Sequence, residues 1–288
     1  MLLGALEAGG TKMVCAVGKE DGTIVERISI PTETPEITMP KLIAFFKQFE
    51  LAALGIGTFG PADLNPQSKT YGFITTTPKL AWKNYDIMGE FKKALGIPVG
   101  FDTDVNAACL GEAAFGCMQD VNNGIYITIG TGVGVGVMVE KQLLHGMLHP
   151  EGGHILLARN PSDTYQGCCP YHDSCLEGLA AGPAIEGRYG KKAFELTDIP
   201  EVWKLEAEYI AKALVNYILI LSPERIVLGG GVMHQEHLFP LIRKKTLALL
   251  NGYVNTKQLA DIDNYIVPPS LNDNQGILGC LKLALNAL

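Results

Sequence analysis

Positive charge is in short supply in this chain. Its 23 Lys and Arg stand against 30 Asp and Glu, for a formal net charge of −7. No basic stripe is available to neutralise the phosphates of a polymer, so nucleic acid is not expected as a partner. Long apolar runs are missing as well. The longest, Tyr209 to Leu221, is broken by Lys212 and Asn216 and is too short to span a bilayer. The N-terminus has no basic lead and meets Glu7 before a signal-type apolar core could form. A cytoplasmic protein without membrane contact is expected. There is no Walker A sequence, no low-complexity segment and no linker long enough to look disordered. Seven cysteines form an odd set in a 288-residue chain that is too long to need disulfide staples. Cys15, Cys109 and Cys280 lie in apolar runs, as buried thiols in a reducing compartment would.

What is present begins with bulk: 47% of the residues are hydrophobic, enough for a large core and two lobes of ordinary domain size. The same pattern opens both halves. Leu2–Ala8, the turn Gly9-Gly10-Thr11 and Met13–Val17 read as strand, glycine turn and strand; so do Gly124–Ile129, Gly130-Thr131-Gly132 and Val135–Val139. Helices are expected near Pro35–Glu50 and Ile199–Leu221, and strands at Ala52–Phe59 and Arg225–Leu228. The pattern predicts a duplicated α/β fold with lobes at 1–117 and 118–288, a cleft between them, and a last helix, Asn274–Leu288, packing back on the first lobe.

The densest chemistry lies between Glu151 and Glu177. Glu151-Gly-Gly-His154 and Cys169-Pro-Tyr-His172-Asp-Ser-Cys175-Leu-Glu177 bring two thiols and two imidazoles into one segment. His154, Cys169, His172 and Cys175 suffice to close a tetrahedral zinc shell, which leaves no open position for a reacting water. Such a zinc would shape a loop and gather Glu151 and Glu177 for a polyhydroxylated ligand. Cys168 is the rival of Cys169; the even spacing with His172 and Cys175 favours Cys169.

Glycine turns let backbone N–H groups approach an anion. Three occur, at Gly9-Gly10-Thr11-Lys12, Gly130-Thr131-Gly132 and Gly229-Gly230-Gly231, and together they outline a nucleoside triphosphate. A dinucleotide fold is disfavoured, because the second turn leads into a strand and not into a helix. Phosphoryl transfer needs a group to deprotonate the acceptor hydroxyl, and Asp104, at a strand end feeding a helix that runs to about Phe115, is the candidate. Asp104 or Thr103 could equally cap that helix, and capping is compatible with catalysis. Glu7 could hold Mg²⁺ through water. Lys12 is either a phosphate partner or a solvated strand residue, and Pro183 starts a further helix.

Glu7-Ala-Gly-Gly-Thr-Lys12, Thr103-Asp-Val-Asn-Ala-Ala108, Ile129-Gly-Thr-Gly-Val-Gly134, His149-Pro-Glu-Gly-Gly-His154, the cysteine segment and Leu228-Gly-Gly-Gly-Val232 together resemble the ROK family of bacterial sugar kinases and regulators. Within it, the Bacillus-type fructokinases are the most similar group. The resemblance covers essentially the whole chain. It implies an actin-like ATPase (ribonuclease H-like) fold, ATP with Mg²⁺, structural Zn²⁺, transfer to the 6-hydroxyl of a hexose such as fructose, and a homodimer. It places Asp104 as the base, and Gly60, Thr103, Asp104, Glu151, His154 and Glu177 around the sugar. Gly9, Gly10, Thr11, Lys12, Thr131, Gly132, Pro183, Gly231, Val232, Met233, His234 and Gln235 would lie around ATP. The chain departs from the family pattern at Glu7, where Asp is usual, at Thr103, where Asn is usual, and in Cys168-Cys-Pro-Tyr-His172. A glucokinase, mannokinase or N-acylmannosamine kinase, with the same chemistry on another sugar, is one alternative, and a sugar-sensing regulator is the rival from a different class. Those members carry an N-terminal DNA-binding domain, for which a first strand beginning at Leu2 leaves no room.

Overall fold

The computed structural model describes residues 1–77 and 79–288. In chain order the strands are β1 (Leu3–Ala8), β2 (Lys12–Gly18), β3 (Ile24–Pro31), β4 (Ala53–Thr58), β5 (Val99–Thr103), β6 (Gly124–Ile129), β7 (Val133–Val139), β8 (Gln142–Leu143), β9 (Arg225–Gly229) and β10 (Ile266–Val267). The helices are α1 (Pro35–Phe46), α2 (Ile87–Leu95), α3 (Asp104–Phe115), α4 (Leu176–Ala180), α5 (Gly182–Tyr189), α6 (Pro200–Leu221), α7 (Leu238–Leu250), α8 (Lys257–Ala260), α9 (Ile262–Tyr265) and α10 (Gln275–Asn286).

These elements form two compact units. The first comprises Met1–Asp120, Gln142–His149 and Ser270–Leu288; the second comprises Val121–Lys141 and Pro150–Pro269. A single cut between residues 117 and 118 does not describe them, because two later segments rejoin the first unit. Leu143 packs into the cluster built on Ile277 and Leu281, His145 bonds Asp102, and α10 lies on α3.

The sheet of the first unit has the order β3-β2-β1-β4-β5. β2 is antiparallel to both β1 and β3, whereas β4 is parallel to β1 and β5 to β4. Period-two alternation buries both faces. Leu6 and Ala8 join Leu42, Phe46 and Phe91 on one side; Leu3 and Ala5 join Ala107, Ile277 and Leu281 on the other. The hairpin between β1 and β2 is tight: Gly9 N donates to Lys12 O at 3.1 Å, and a Cβ on Gly9 would stand 2.6 Å from that oxygen. In the second unit β6 and β7 form the corresponding antiparallel hairpin, with β9 parallel to β6 and β10 parallel to β9. No helix among the described residues is long and apolar enough to cross a membrane.

α3 and α10 meet backbone to backbone. A Cβ on Gly279 would run into Ala107 O, and one on Gly111 into Gln275 O. We expect Gly279→Ala to destabilise the protein by ~1–3 kcal/mol, because the obstacle is main chain and cannot step aside. The gain in helix propensity from Ala, about 1 kcal/mol, is not enough to offset it. The midpoint of urea unfolding measures the change, and a midpoint at or above the wild-type value would contradict this account of the helix contact.

Candidate active site and metal centre

At the end of β5 the chain turns into α3, and the cap is made by Thr103. Its hydroxyl accepts from Asn106 N at 3.2 Å. Asp104 is thereby left as the first helical residue, its Oδ1 accepting from Val105 N at 2.8 Å. Burial pushes the Asp104 carboxyl up to about 7, the neighbouring Glu7 carboxylate adds to the rise, and the Val105 N–H and His149 oppose it. Glu7 is also held above the usual carboxylate range, chiefly by burial; Arg27 and Lys12 pull it down and Asp273 pushes it up. The first unit therefore brings Glu7 and Asp104 within electrostatic reach of each other. It sets Gly60 beside the His149 ring, 3.7 Å from a Cβ position to Nε2. Thr11 and Lys12 are exposed at the hairpin, and the Lys79 side chain lies over Gly10, 3.2 Å from its Cβ position.

Sequence reasoning missed Asp102, His145, His149 and Lys79. Asp102 is almost fully buried, yet its carboxylate accepts from Thr103 N at 2.8 Å and Asn106 Nδ2 at 2.7 Å, and pairs with His145 Nε2 at 2.8 Å. That bond raises His145 above the ordinary imidazole value despite partial burial. The Asp102-Thr-Asp104 repeat is the one local signal of a second carboxylate at this junction. Nothing in the spacing of His145 links it to residue 102.

In the second unit one ligand atom each from His154, Cys169, His172 and Cys175 lies within 4.8 Å of the others. Cys169 Sγ stands 3.8 Å from His154 Nδ1 and 3.6 Å from His172 Nδ1, and Cys175 Sγ stands 3.7 Å from His154 Nδ1. Tetrahedral zinc with bonds of about 2.0–2.3 Å separates its ligands by roughly 3.3–3.8 Å, so this donor set fits the ion in size and in chemistry. Cys168 points elsewhere, with its Sγ 3.7 Å from Glu177 O. Cys175 caps α4 and accepts from Gly178 N at 3.3 Å, while burial pushes its thiol up to about 11. A cation is what would make the thiolate favourable there.

The same cluster places a carboxylate. His154 Nε2 is 3.9 Å from Glu177 Oε1, and Glu177 Oε2 accepts from Val133 N at 3.0 Å, at the mouth of the Gly130–Gly132 turn. A Cβ on Gly132 would stand 2.7 Å from that oxygen. Glu151 is exposed just before the short helical turn Gly152–His154, and Gly153 presses against Val133 O with no room for a side chain. The remaining glycine turns converge in this unit. Gly182 N donates to Gly130 O at 2.7 Å, which ties the start of α5, and with it exposed Pro183, to the turn carrying Thr131. Gly230 adopts φ 89° against the Ile129 backbone, and Gly231 N is 3.8 Å from the Cβ position of Gly130. Val232 and Met233 are buried, whereas His234 is exposed and Gln235 half-buried.

The sequence profile of the ROK family matches residues 3–287, and the chain belongs to that family. It is 49% identical over 288 residues to the fructokinase of Pediococcus pentosaceus, covering 100% of this chain and 99% of that one. It is 45% identical over 289 residues to the fructokinase of Streptococcus mutans (98% and 97% covered). The crystal structure of the ROK hexokinase from Thermus thermophilus superposes with a TM-score of 0.82 at 26% identity, covering 99% of this chain and 98% of that chain. The fold is the actin-like ATPase fold of the ROK sugar kinases.

The Asp102–His145 pair carries a pH signature. Because the folded state raises the His145 pKa, it holds more protons than the unfolded chain between the unfolded value and the raised one. Its stabilisation is complete below the unfolded pKa, about 6.5, and is lost as pH rises through the folded one. Asp102→Asn should therefore flatten the fall of Tm with rising pH above about 6 and lower the His145 pKa in an NMR titration. An unchanged His145 titration would sink the assignment.

Proposed function

We propose that the chain is an ATP-dependent fructokinase that forms fructose 6-phosphate. The observation that carries the reading is Asp104. It is half-buried at the first turn of α3, is not consumed as the helix cap, and has its carboxyl pushed up to about 7. A general base works best with a pKa near the operating pH. In the reaction the 6-hydroxyl oxygen of the sugar bonds to the γ-phosphorus, the bond from that phosphorus to the bridging oxygen of ADP breaks, and the hydroxyl proton passes to Asp104. Glu151, His154 and Glu177 accept and donate hydrogen bonds to the sugar, with Gly60 and Thr103 beside it. In the first unit Gly9, Gly10, Thr11 and Lys12 are assigned to the nucleotide phosphates, with the Thr11 hydroxyl and the Lys12 ammonium as donors; in the second unit Thr131, Gly132, Pro183 and Gly231–Gln235 are assigned to the nucleotide, with the Thr131 hydroxyl as a donor and the Pro183 ring as an apolar flank. The names of the relatives at 45–49% identity support fructose as the acceptor.

The oxygen donors suit a hard cation: Glu7 and Asp104 each resist ionisation at close quarters, a strain that a divalent ion relieves. When bound, Mg²⁺ neutralises charge on the phosphoryl oxygens. Glu7 would hold it through water. The family likeness also supports a cytoplasmic homodimer.

Asp104→Asn should lower kcat by roughly 10²-fold or more while leaving fructose binding largely intact, since the amide keeps the shape but cannot take the proton. In the wild type, kcat/KM should rise with pH through about 7 and then level, as Asp104 ionises. The deciding experiment is kcat/KM for fructose, mannose, glucose and N-acetylmannosamine in a coupled ADP-release assay, with the product identified by NMR. Another sugar exceeding fructose tenfold, about 1.4 kcal/mol in transition-state binding, would overturn the fructose assignment.

Zinc is assigned to His154, Cys169, His172 and Cys175. One zinc per chain is expected, retained in Cys168→Ser and lost in Cys169→Ser, as read by elemental analysis of the purified proteins. Chelation should disorder the segment from Glu151 to Glu177 while both cores persist, because structural zinc contributes about 10 kcal/mol or more in small peptides. Equal zinc loss in the two variants would refute the ligand set.

A further inference from the structure

Gly276 is the second residue of α10, and what blocks a side chain there is the end of Glu7. A Cβ at 276 would stand 2.7 Å from Glu7 Cδ and Oε1 and 3.0 Å from Oε2. This differs in kind from Gly279 and Gly111 of the same helix pair, where backbone oxygens fill the space. Backbone cannot yield. A carboxylate on three rotatable bonds can, so the fold itself does not require glycine at 276. Helix propensity gives no reason for glycine there either, since Ala ranks above Gly as a helix former. The missing side chain serves the position of the carboxylate.

The surroundings support the same conclusion. The start of α10 is tethered to β3 by Arg27, whose guanidinium donates to Asn274 Oδ1 at 2.6 Å. Arg27 and Lys12 both favour the ionised form of Glu7, and the positive end of the α10 dipole is suited to a carboxylate. Glu7 in turn acts electrostatically on Asp104.

We infer that Gly276 is a positioning residue for Glu7: by having no side chain it lets the carboxylate rest against the first turn of α10, and this sets where the cation-binding oxygens stand. The inference rests on the reading of Glu7 as a partner of the Mg²⁺ that accompanies ATP. A methyl at 276 displaces the Glu7 carboxylate. Glu7→Asp shortens the side chain by one methylene, about 1.5 Å, and so withdraws the carboxylate from the methyl. The two positions are therefore coupled.

The test is a double-mutant cycle on the wild type, Gly276→Ala, Glu7→Asp and the double variant. It is read as the affinity for Mn²⁺ in the presence of ADP, by electron paramagnetic resonance of the free ion, and as the Mg²⁺ concentration giving half-maximal turnover. With Glu7 present, Gly276→Ala should weaken Mn²⁺ binding about threefold or more, the lower range for residues in contact. With Glu7→Asp present, the same change should have no effect. Thermal unfolding of Gly276→Ala should match or exceed that of the wild type. The inference is overturned by an unaffected Gly276→Ala, by an equal loss in both backgrounds, or by an unstable Gly276→Ala. A protein that shows the coupling in Mn²⁺ binding but phosphorylates no sugar overturns the fructokinase reading and leaves this inference standing.

Discussion

The contact between α3 and α10 is the constraint on which the first unit depends. Two helices distant in the chain touch through main chain, with Gly279 over Ala107 O and Gly111 under Gln275 O. At these two points no side chain intervenes that could repack or slide. The N-terminus of α3 is consequently fixed relative to β1 and β4, on which α10 also lies. Asp104 begins α3 and Glu7 belongs to β1, so the distance between these carboxylates is set by helix packing and not by any bond between them. Cys280 reinforces the seat, with its buried thiol 3.2 Å from Leu6 O.

At the end of β5, two carboxylates two residues apart have opposite environments. Asp102 points inward and is met by a backbone N–H, an amide and an imidazole, a set of donors that makes a buried charge tolerable. Asp104 points out of the first helical turn, half-buried and beside another carboxylate, and its proton affinity rises. Strand alternation and a helix start are enough to separate the two roles. One carboxylate builds the junction and holds the 142–149 segment; the other is left with a raised proton affinity.

The second unit solves a different problem. The stretch from Glu151 to Glu177 has little regular structure, and a loop of this length needs another source of order. The four soft donors supply a place for it, and His154 connects them to the working end: one ring nitrogen faces the cysteines, the other faces Glu177. Arg159 adds support by donating to the carbonyls of Tyr165, Gln166 and Asp173. A carboxylate held between an imidazole and a backbone N–H has little freedom to turn.

Much of this was legible in the residues themselves, because the signals are local. The strand, glycine turn and strand pattern follows from period-two burial and from Gly9 and Gly132 lying where a Cβ would collide. The Cys-x-x-His-x-x-Cys spacing carries the geometry of a small loop, and Thr103 before Asp104 marks a helix start. The pairings that joined distant segments were not legible. His145 reaches Asp102 across 43 residues, and the start of α10 makes room for Glu7 of the first strand. The return of 142–149 to the first unit likewise has no periodic signature. Spacing and alternation record what neighbouring residues do to one another. Which carboxylate is satisfied, which is left strained, and which glycine exists for another residue's side chain are decided only when sheet and helices close on each other and exclude water.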